Sequence, residues 1–583
     1  MGLRILAVLI VGGALWGQIT GVVRDANTLQ AVPDAIIVIK GHSMQTTSAS
    51  DGSFSLNDTA SLPFYLVVAK HPYFTEPVFI STVSQSQNMM IDLTPVPLET
   101  SMPNGALNTP EDCETCHPDT YTEWLGSPMQ KTGLNRWVWD VWDGTGTAGG
   151  MNGFVYKRDS IHRFANPNSD CSACHSPVHW LTDIETAGMG DDVNNPTADM
   201  SRGVQCEVCH RAAFVDPAKS NFPGVTPESF SFFRNIDVYA EFGLRPDVTY
   251  SGGIMRAAYN PQLSAELCAA CHEDNTDHDD DGDFEDAGSV PHETTFSEWK
   301  TYFLAAAGSG KTCIECHMPL TERDAFCVFE KGRSGTVRTH HIRGTSPAFL
   351  DSAVNLDVNA SESLSEYVLD IDLTNIGAGH SVPSGVVIRN MLLLVRVRDG
   401  LGQDATLLAG DTLDPVAGVG DPNQGYYAGL AGKAFYLNMS DGATERLFYT
   451  EANQLAFDSR LKAGESYQNQ FRFQMPSQLA GGLQVDVKVL YRRSFRELLD
   501  QKGWTMTGHG EPLADIAAPD YGHVMAEYTQ SLNPCADRDL DNNSLVNGLD
   551  LAILVDQWLS PPPFGGGAKT GMMHLAALVN CLP

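Results

Sequence analysis

The sequence predicts a multidomain chain: an N-terminal β-sandwich, a mainly α and irregular central domain, a C-terminal β-sandwich and a small α module at the end. Three observations predict it. Apolar and polar residues alternate with period two on both flanks of the chain. A five-residue cysteine–histidine motif recurs between Cys113 and His317. An acidic loop followed by an apolar helix closes the sequence. The 583 residues suffice for about three to five domains. Hydrophobic residues make up 42%, enough for packed cores and too many for a wholly disordered chain. With 37 basic against 71 acidic residues, the net charge is −34. That argues against nucleic acid, whose phosphates need Lys and Arg, and against docking on anionic lipid. It fits basic partners, cations or a solvated acidic surface.

Met1 to Gly17 carries one basic residue, Arg4, then an apolar run from Ile5 to Leu15. The run is shorter than the about 20 residues a membrane span needs and suits a secretory signal peptide, residues 1–17. No later segment is long and apolar enough to span a membrane, so a soluble protein outside the cytoplasm is expected. Residues 18–97 alternate apolar and polar, with turns at Asp25-Ala-Asn27 and Asp51-Gly52 and buried strands at Ile36–Ile39 and Leu66–Val68. The runs Gly21-Val-Val-Arg-Asp25, Val32-Pro-Asp-Ala35 and Asp51-Gly-Ser-Phe54 resemble carboxypeptidase regulatory-like domains. That resemblance implies a small β-sandwich serving as a spacer or interaction module, and no peptidase. Residues 98–110 read as a Pro-containing linker.

Residues 111–350 carry the chemistry. Five CxxCH motifs occur: Cys113-Glu-Thr-Cys116-His117, Cys171-Ser-Ala-Cys174-His175, Cys206-Glu-Val-Cys209-His210, Cys268-Ala-Ala-Cys271-His272 and Cys313-Ile-Glu-Cys316-His317. For this composition, chance predicts about 0.01 such motifs. Each matches the attachment signature of haem c: two thiols for the vinyl groups and an adjacent His as proximal iron ligand. Zinc ribbons and redox dithiols are the alternatives. Zinc does not require His after every second Cys, and export disfavours free dithiols. Five covalently attached haems in so short a stretch must themselves form much of the core, close to one another.

Candidate distal ligands are fewer than the remaining histidines. His340 lies in Arg338-Thr-His-His341-Ile-Arg-Gly344, just after the fifth motif, with His341 as its fallback. His380 lies in the turn Asn375-Ile-Gly-Ala-Gly-His-Ser-Val-Pro-Ser-Gly385, whose glycines would let backbone approach a haem. His162 precedes the second motif and His179 follows it. Met129, in Ser127-Pro-Met129, is a candidate thioether ligand; Met200 and Met318 read as packing.

The stretch Cys113 to Gly344 resembles the multihaem cytochromes c related to the tetrahaem electron relay of hydroxylamine oxidation. The carrying residues are the first motif followed by Tyr121, Trp124 and Ser127, then Gly203-Val-Gln-Cys206 and Cys316-His317-Met318-Pro319. The resemblance implies electron transfer. The family often has a ligand His two residues after the Ser, where this chain has Met129.

Strands return over residues 351–532. Leu369, Ile371 and Leu373 alternate with polar residues, as do Val485, Val487 and Val489. His380 lies near the start of this domain, so iron binding there would latch it to the haem core. Two acidic loops read as calcium sites, since calcium takes several hard oxygens at short reach. One has Asp277, Asp279, Asp281 and Asp283 around Gly282. The other has Asp539, Asp541, Asn543, Asn547 and Asp550 at loop positions one, three, five, nine and twelve, followed by the apolar helix Leu551–Trp558. Residues 533–583 thus resemble a dockerin, with a second half that lacks the acidic ligands; the resemblance implies a cell-surface or cohesin-like partner. Cys535 and Cys581 bracket this module and are expected to form a disulfide; Cys327 is left over and reads as buried and inert.

The expected function is electron transfer between redox partner proteins outside the cytoplasm, periplasmic or at the cell surface. Two other readings stay open. An open iron position would make the chain an oxidoreductase of small nitrogen or sulfur compounds. The end modules would suit a cell-surface or assembly protein.

Overall fold

The fold is that of a computed structural model. It describes residues 18–58, 60–96, 107–181, 188–190, 193–216, 230–232, 240–252, 255–276, 289–304, 310–328, 331–363, 365–476, 482–532, 538, 540, 546–559, 578–579 and 581–582. The chain is multidomain, with many β-sheets, some short helices and two compact units. One comprises Met1–Leu134, Asn168–Cys271 and Thr312–Ile342; the other Asn135–Pro167, His272–Lys311 and Arg343–Pro583.

The first unit begins with seven strands: β1 (Gln18–Asp25), β2 (Ile36–Ile39), β3 (Gln45–Thr47), β4 (Ser53–Asn57), β5 (Phe64–Ala69), β6 (Glu76–Ile80) and β7 (Met89–Leu93). They form two sheets, ordered β4-β1-β7 and β3-β2-β5-β6. β1 runs antiparallel to β4 and parallel to β7. The alternation in β1 puts Ile19 and Val23 into the same core as Ile37, Leu66 and Val68 of the other sheet. The expected turns are present: Asp25 Oδ1 accepts the N–H groups of Asn27 and Thr28, each at 2.8 Å. Gly52 takes φ +79°, and a Cβ there would lie 2.4 Å from the Val23 carbonyl oxygen, so only glycine fits.

These strands are stitched to the motif-bearing part of the same unit. Thr75 N–H donates to the Ala257 carbonyl at 2.9 Å, and Gly41 N–H to Asp247 at 3.1 Å. Arg256 pairs with Glu76 at 3.2 Å. Phe74 and Val96 belong to the core formed by Ala173, Val178, Trp180, Val208, Phe242 and Ala270. Short helices, two small sheets and the hairpin Leu320–Ala325/Lys331–Arg338 complete the described part of the unit.

The second unit centres on two four-stranded antiparallel sheets. One is ordered Val354–Glu362, Glu366–Asn375, Ser466–Gln474, Leu407–Ala409; the other Gly432–Phe435, Asn390–Asp399, Leu483–Arg492, His523–Leu532. Leu369, Ile371 and Leu373 meet Leu393, Val395, Val485, Val487 and Val489 in one core. The other face of the second sheet is covered too, Leu392, Leu394 and Leu490 packing on Val416, Tyr427 and Phe495. This explains the unbroken apolar run Met391–Val395, since a strand buried on both faces has no solvent side. Cys581 is disulfide-bonded and packs in the first of these cores; its expected partner, Cys535, lies outside the described residues. No helix among the described residues is long and apolar enough to cross a membrane.

Candidate haem sites

Four of the five motifs lie in a helical turn: Cys171–His175, Cys206–His210, the end of Glu266–His272, and Cys313–His317. In the first motif the helix Pro110–Glu114 ends just after Cys113, and His117 caps the following helix Pro118–Leu125. A turn of helix brings the two cysteines, three apart, and the His beyond them onto neighbouring positions of one face. None of the ten motif cysteines is joined in a disulfide.

The motifs crowd together. The thiols of Cys113 and Cys206 hydrogen-bond to each other, as do those of Cys268 and Cys313. Attachment points of the first and third motifs are therefore adjacent, as are those of the fourth and fifth. The Cys209 thiol is pushed up to about 12 by burial, then by Cys206 and Cys271. Among the described residues, no group of three or more His, Cys, Asp or Glu gathers as a metal cluster.

The histidines are oriented from behind. His210 Nδ1 lies 2.7 Å from the Phe242 carbonyl oxygen, and His117 Nδ1 lies 3.2 Å from that of Phe326. A carbonyl only accepts, so Nδ1 carries the proton and Nε2 keeps the lone pair a metal needs. Beside the second motif, Ser176 Oγ and Trp180 Nε1 are buried without a hydrogen-bond partner in the protein. Buried donors of this kind suit an acidic cofactor edge such as a haem propionate. Thiols, ring nitrogens and buried donors together fit haem c.

The distal candidates fall in different places. His340 follows the hairpin and its ring lies beside His210, centroids 6.2 Å apart and planes at 25°. Burial, then the His210 ring, lowers the His340 pKa to about 3. His340 N–H donates to Glu123 Oε2 at 2.8 Å, and Arg323 pairs with the same oxygen at 2.7 Å. His341 is half-buried beside it. His162 lies in the turn Ile161–Phe164 and His179 in the helix Pro177–Trp180, both half-buried. Met129 is half-buried, and its carbonyl accepts the Val204 N–H at 3.0 Å, which seats it near the third motif. In the second unit, His380 Nδ1 lies 2.9 Å from the Ser381 carbonyl oxygen. Its loop is held by Glu298, which accepts from Ser381 N–H at 3.0 Å and Ser384 Oγ at 2.8 Å and pairs with Arg460 at 2.7 Å.

Sequence reasoning missed Glu123, Arg323 and the carbonyls of Phe242 and Phe326. Glu123 adjoins Trp124 in the spacer that carries the family resemblance, but nothing local links it to a His 217 positions on. It also missed the buried group at the third motif, where Arg211 lies 3.3 Å from Glu207 and 3.4 Å from Glu241. Burial, partly offset by Arg211, raises the Glu241 carboxyl. Cys327, expected buried, is half-buried, and Val328 N–H donates to the Cys116 carbonyl at 3.0 Å. Asp277, Asp279, Asp281, Asp283, Asp539, Asp541 and Asn543 lie outside the described residues. Asp550 is buried and accepts from Leu540 N–H at 2.6 Å and Asn547 N–H at 2.7 Å. Asn547 Oδ1 in turn accepts from Leu549 N–H at 2.8 Å, capping the helix Gly548–Leu559.

The motifs and their surroundings support a multihaem c-type cytochrome with covalently attached haem c, and with it an electron-transfer role. Residues 112–211, which hold three of the motifs, match the family described as cytochrome c554 and c-prime. Among solved structures, the chain is similar to a penta-heme cytochrome c552 from Thermochromatium tepidum, at 18% identity and TM-score 0.49, covering 73% of this chain and 99% of that one. No curated protein matches the chain.

Proposed function

We propose that the chain is an exported five-haem c-type cytochrome that passes electrons between redox partner proteins outside the cytoplasm. The observation that carries this is the adjacency of motifs, with the Cys113–Cys206 and Cys268–Cys313 thiols in hydrogen-bond contact. Bound haem supplies one-electron iron chemistry. The chain's own residues attach it, hold the His117 and His210 imidazoles by Nδ1, and set the attachment points side by side, so that an electron need not cross a thick protein layer. The test is a haem count on the purified holoprotein with optical, EPR and carbon monoxide measurements. Five haems per chain, reducible and reoxidised by an external cytochrome partner, are expected. Fewer than five overturns the count. An iron that is high-spin and binds carbon monoxide and nitrite overturns the pure relay.

The flanking modules complete the proposal. Residues 18–97 are a carboxypeptidase regulatory-like β-sandwich, residues 351–532 a second sandwich, and residues 533–583 a dockerin-like attachment module. Calcium occupies the loops at 277–283 and 539–550, where carboxylates alternate along the chain. Calcium titration of the chelator-treated protein should raise its melting temperature; no shift removes the calcium assignment. A tail-less chain found in the same cell fraction as the full chain would remove the attachment role.

A further inference from the structure

We propose that His210 and His340 bind the same iron from opposite sides, so that the sixth ligand of the third motif comes from the segment after the fifth. This deepens the haem reading above and rests on it. The ring centroids are 6.2 Å apart. Two metal–imidazole bonds of about 2.0 Å, with about 1.1 Å from each nitrogen to its ring centre, span about 6.2 Å. The two ring planes lie at 25° to each other, and the centroid spacing matches that span.

The chemistry of both rings agrees. His210 Nδ1 is 2.7 Å from the Phe242 carbonyl oxygen and His340 Nδ1 is 3.1 Å from that of Arg338. Each ring therefore keeps Nε2 as its lone-pair nitrogen. The support is built for the purpose. Leu320 pairs with Arg338 across the hairpin, which returns the chain to the level of Pro319, where the Thr339 N–H donates to the Pro319 carbonyl at 2.9 Å. Glu123, held by Arg323 of the hairpin, accepts the His340 backbone N–H. Arg245, three residues beyond Phe242, donates to the Thr336 carbonyl at 3.0 Å, tying the backing of His210 to the hairpin that delivers His340. The same hairpin's turn supplies the Phe326 carbonyl behind His117. One strap thus orients imidazoles for the first and third motifs. Glu123 and Arg323 are positioning residues.

The test uses the full holoprotein. H340A should convert one iron per chain from low-spin to high-spin, and added imidazole should reverse it; H341A should change nothing. In a chain whose third motif is removed by C206A/C209A, H340A should then create no new high-spin iron. If it still does, His340 serves another motif and the proposal fails. An unchanged H340A spectrum also overturns it. A third motif without haem overturns both this pairing and the haem reading there, which the haem count detects separately. Should these variants not mature, a haem-resolved structure of the unaltered protein decides: iron between His210 Nε2 and His340 Nε2 is expected, and any other sixth ligand on that iron overturns the proposal.

Discussion

At the scale of the residue, the strongest constraints are buried charges whose partners come from distant segments. Lys502 is fully buried, and its Nζ donates to the carbonyls of Asp140, Gly150 and Phe154 at 2.6–2.9 Å. K502M would strand three carbonyls and should destabilise the protein by about 3 kcal/mol or more in urea unfolding. Glu298 and Arg460 are each about 5% exposed. E298Q should cost about 3 kcal/mol for the same reason and loosen the Ser381–Ser384 loop that carries His380, read as faster amide exchange there. Asp515 gives a pH dependence. Burial pushes it up to about 6, against the pull of Arg492 and the N–H groups of Arg493 and Ser494. An unfolded Asp titrates near about 3.9. Between those values the folded state holds a proton that the unfolded state has lost, so this contribution strengthens as pH falls from 6 towards 4. D515N should lack it, the difference approaching about 3 kcal/mol between pH 7 and 4.

At the scale of the element, the N-terminal strands and the hairpin do more than their sequences announce. Residues 18–97 look self-contained: alternation, turns and strand lengths are local, and Ile36–Ile39 forms the strand its composition implies. Yet Phe74 and Val96 complete the core beneath the motifs, and the Thr75 N–H bonds to Ala257. Deleting 18–97 should therefore lower the melting temperature of the haem-bearing part, measured by Soret circular dichroism. An unchanged value would mark the strands as a passive spacer. The hairpin was the least legible element. Glu322, Arg323 and Asp324 are three charged residues in a row, yet Arg323 is buried against Glu123 with its side chain 10% exposed. A long-range ion pair has no periodicity to betray it.

At the scale of the whole molecule, the two-sheet core of the second unit follows from period-two alternation in Leu369–Leu373 and Val485–Val489. The five CxxCH motifs declare haem attachment because that chemistry is local: two thiols and one imidazole within five residues. These things were legible in the sequence alone, together with an acidic balance that argues against nucleic acid. Only the tertiary structure decided which motifs are neighbours, which carbonyls orient the His117 and His210 imidazoles and which distant His ring lies beside His210. Sequence order sets His340 beside the fifth motif; the fold sets its ring against the third. The physical reason is range. Attachment and strand periodicity act through neighbouring residues, whereas a sixth ligand is chosen by where a hairpin, a buried carboxylate and a guanidinium come to rest after the chain has folded.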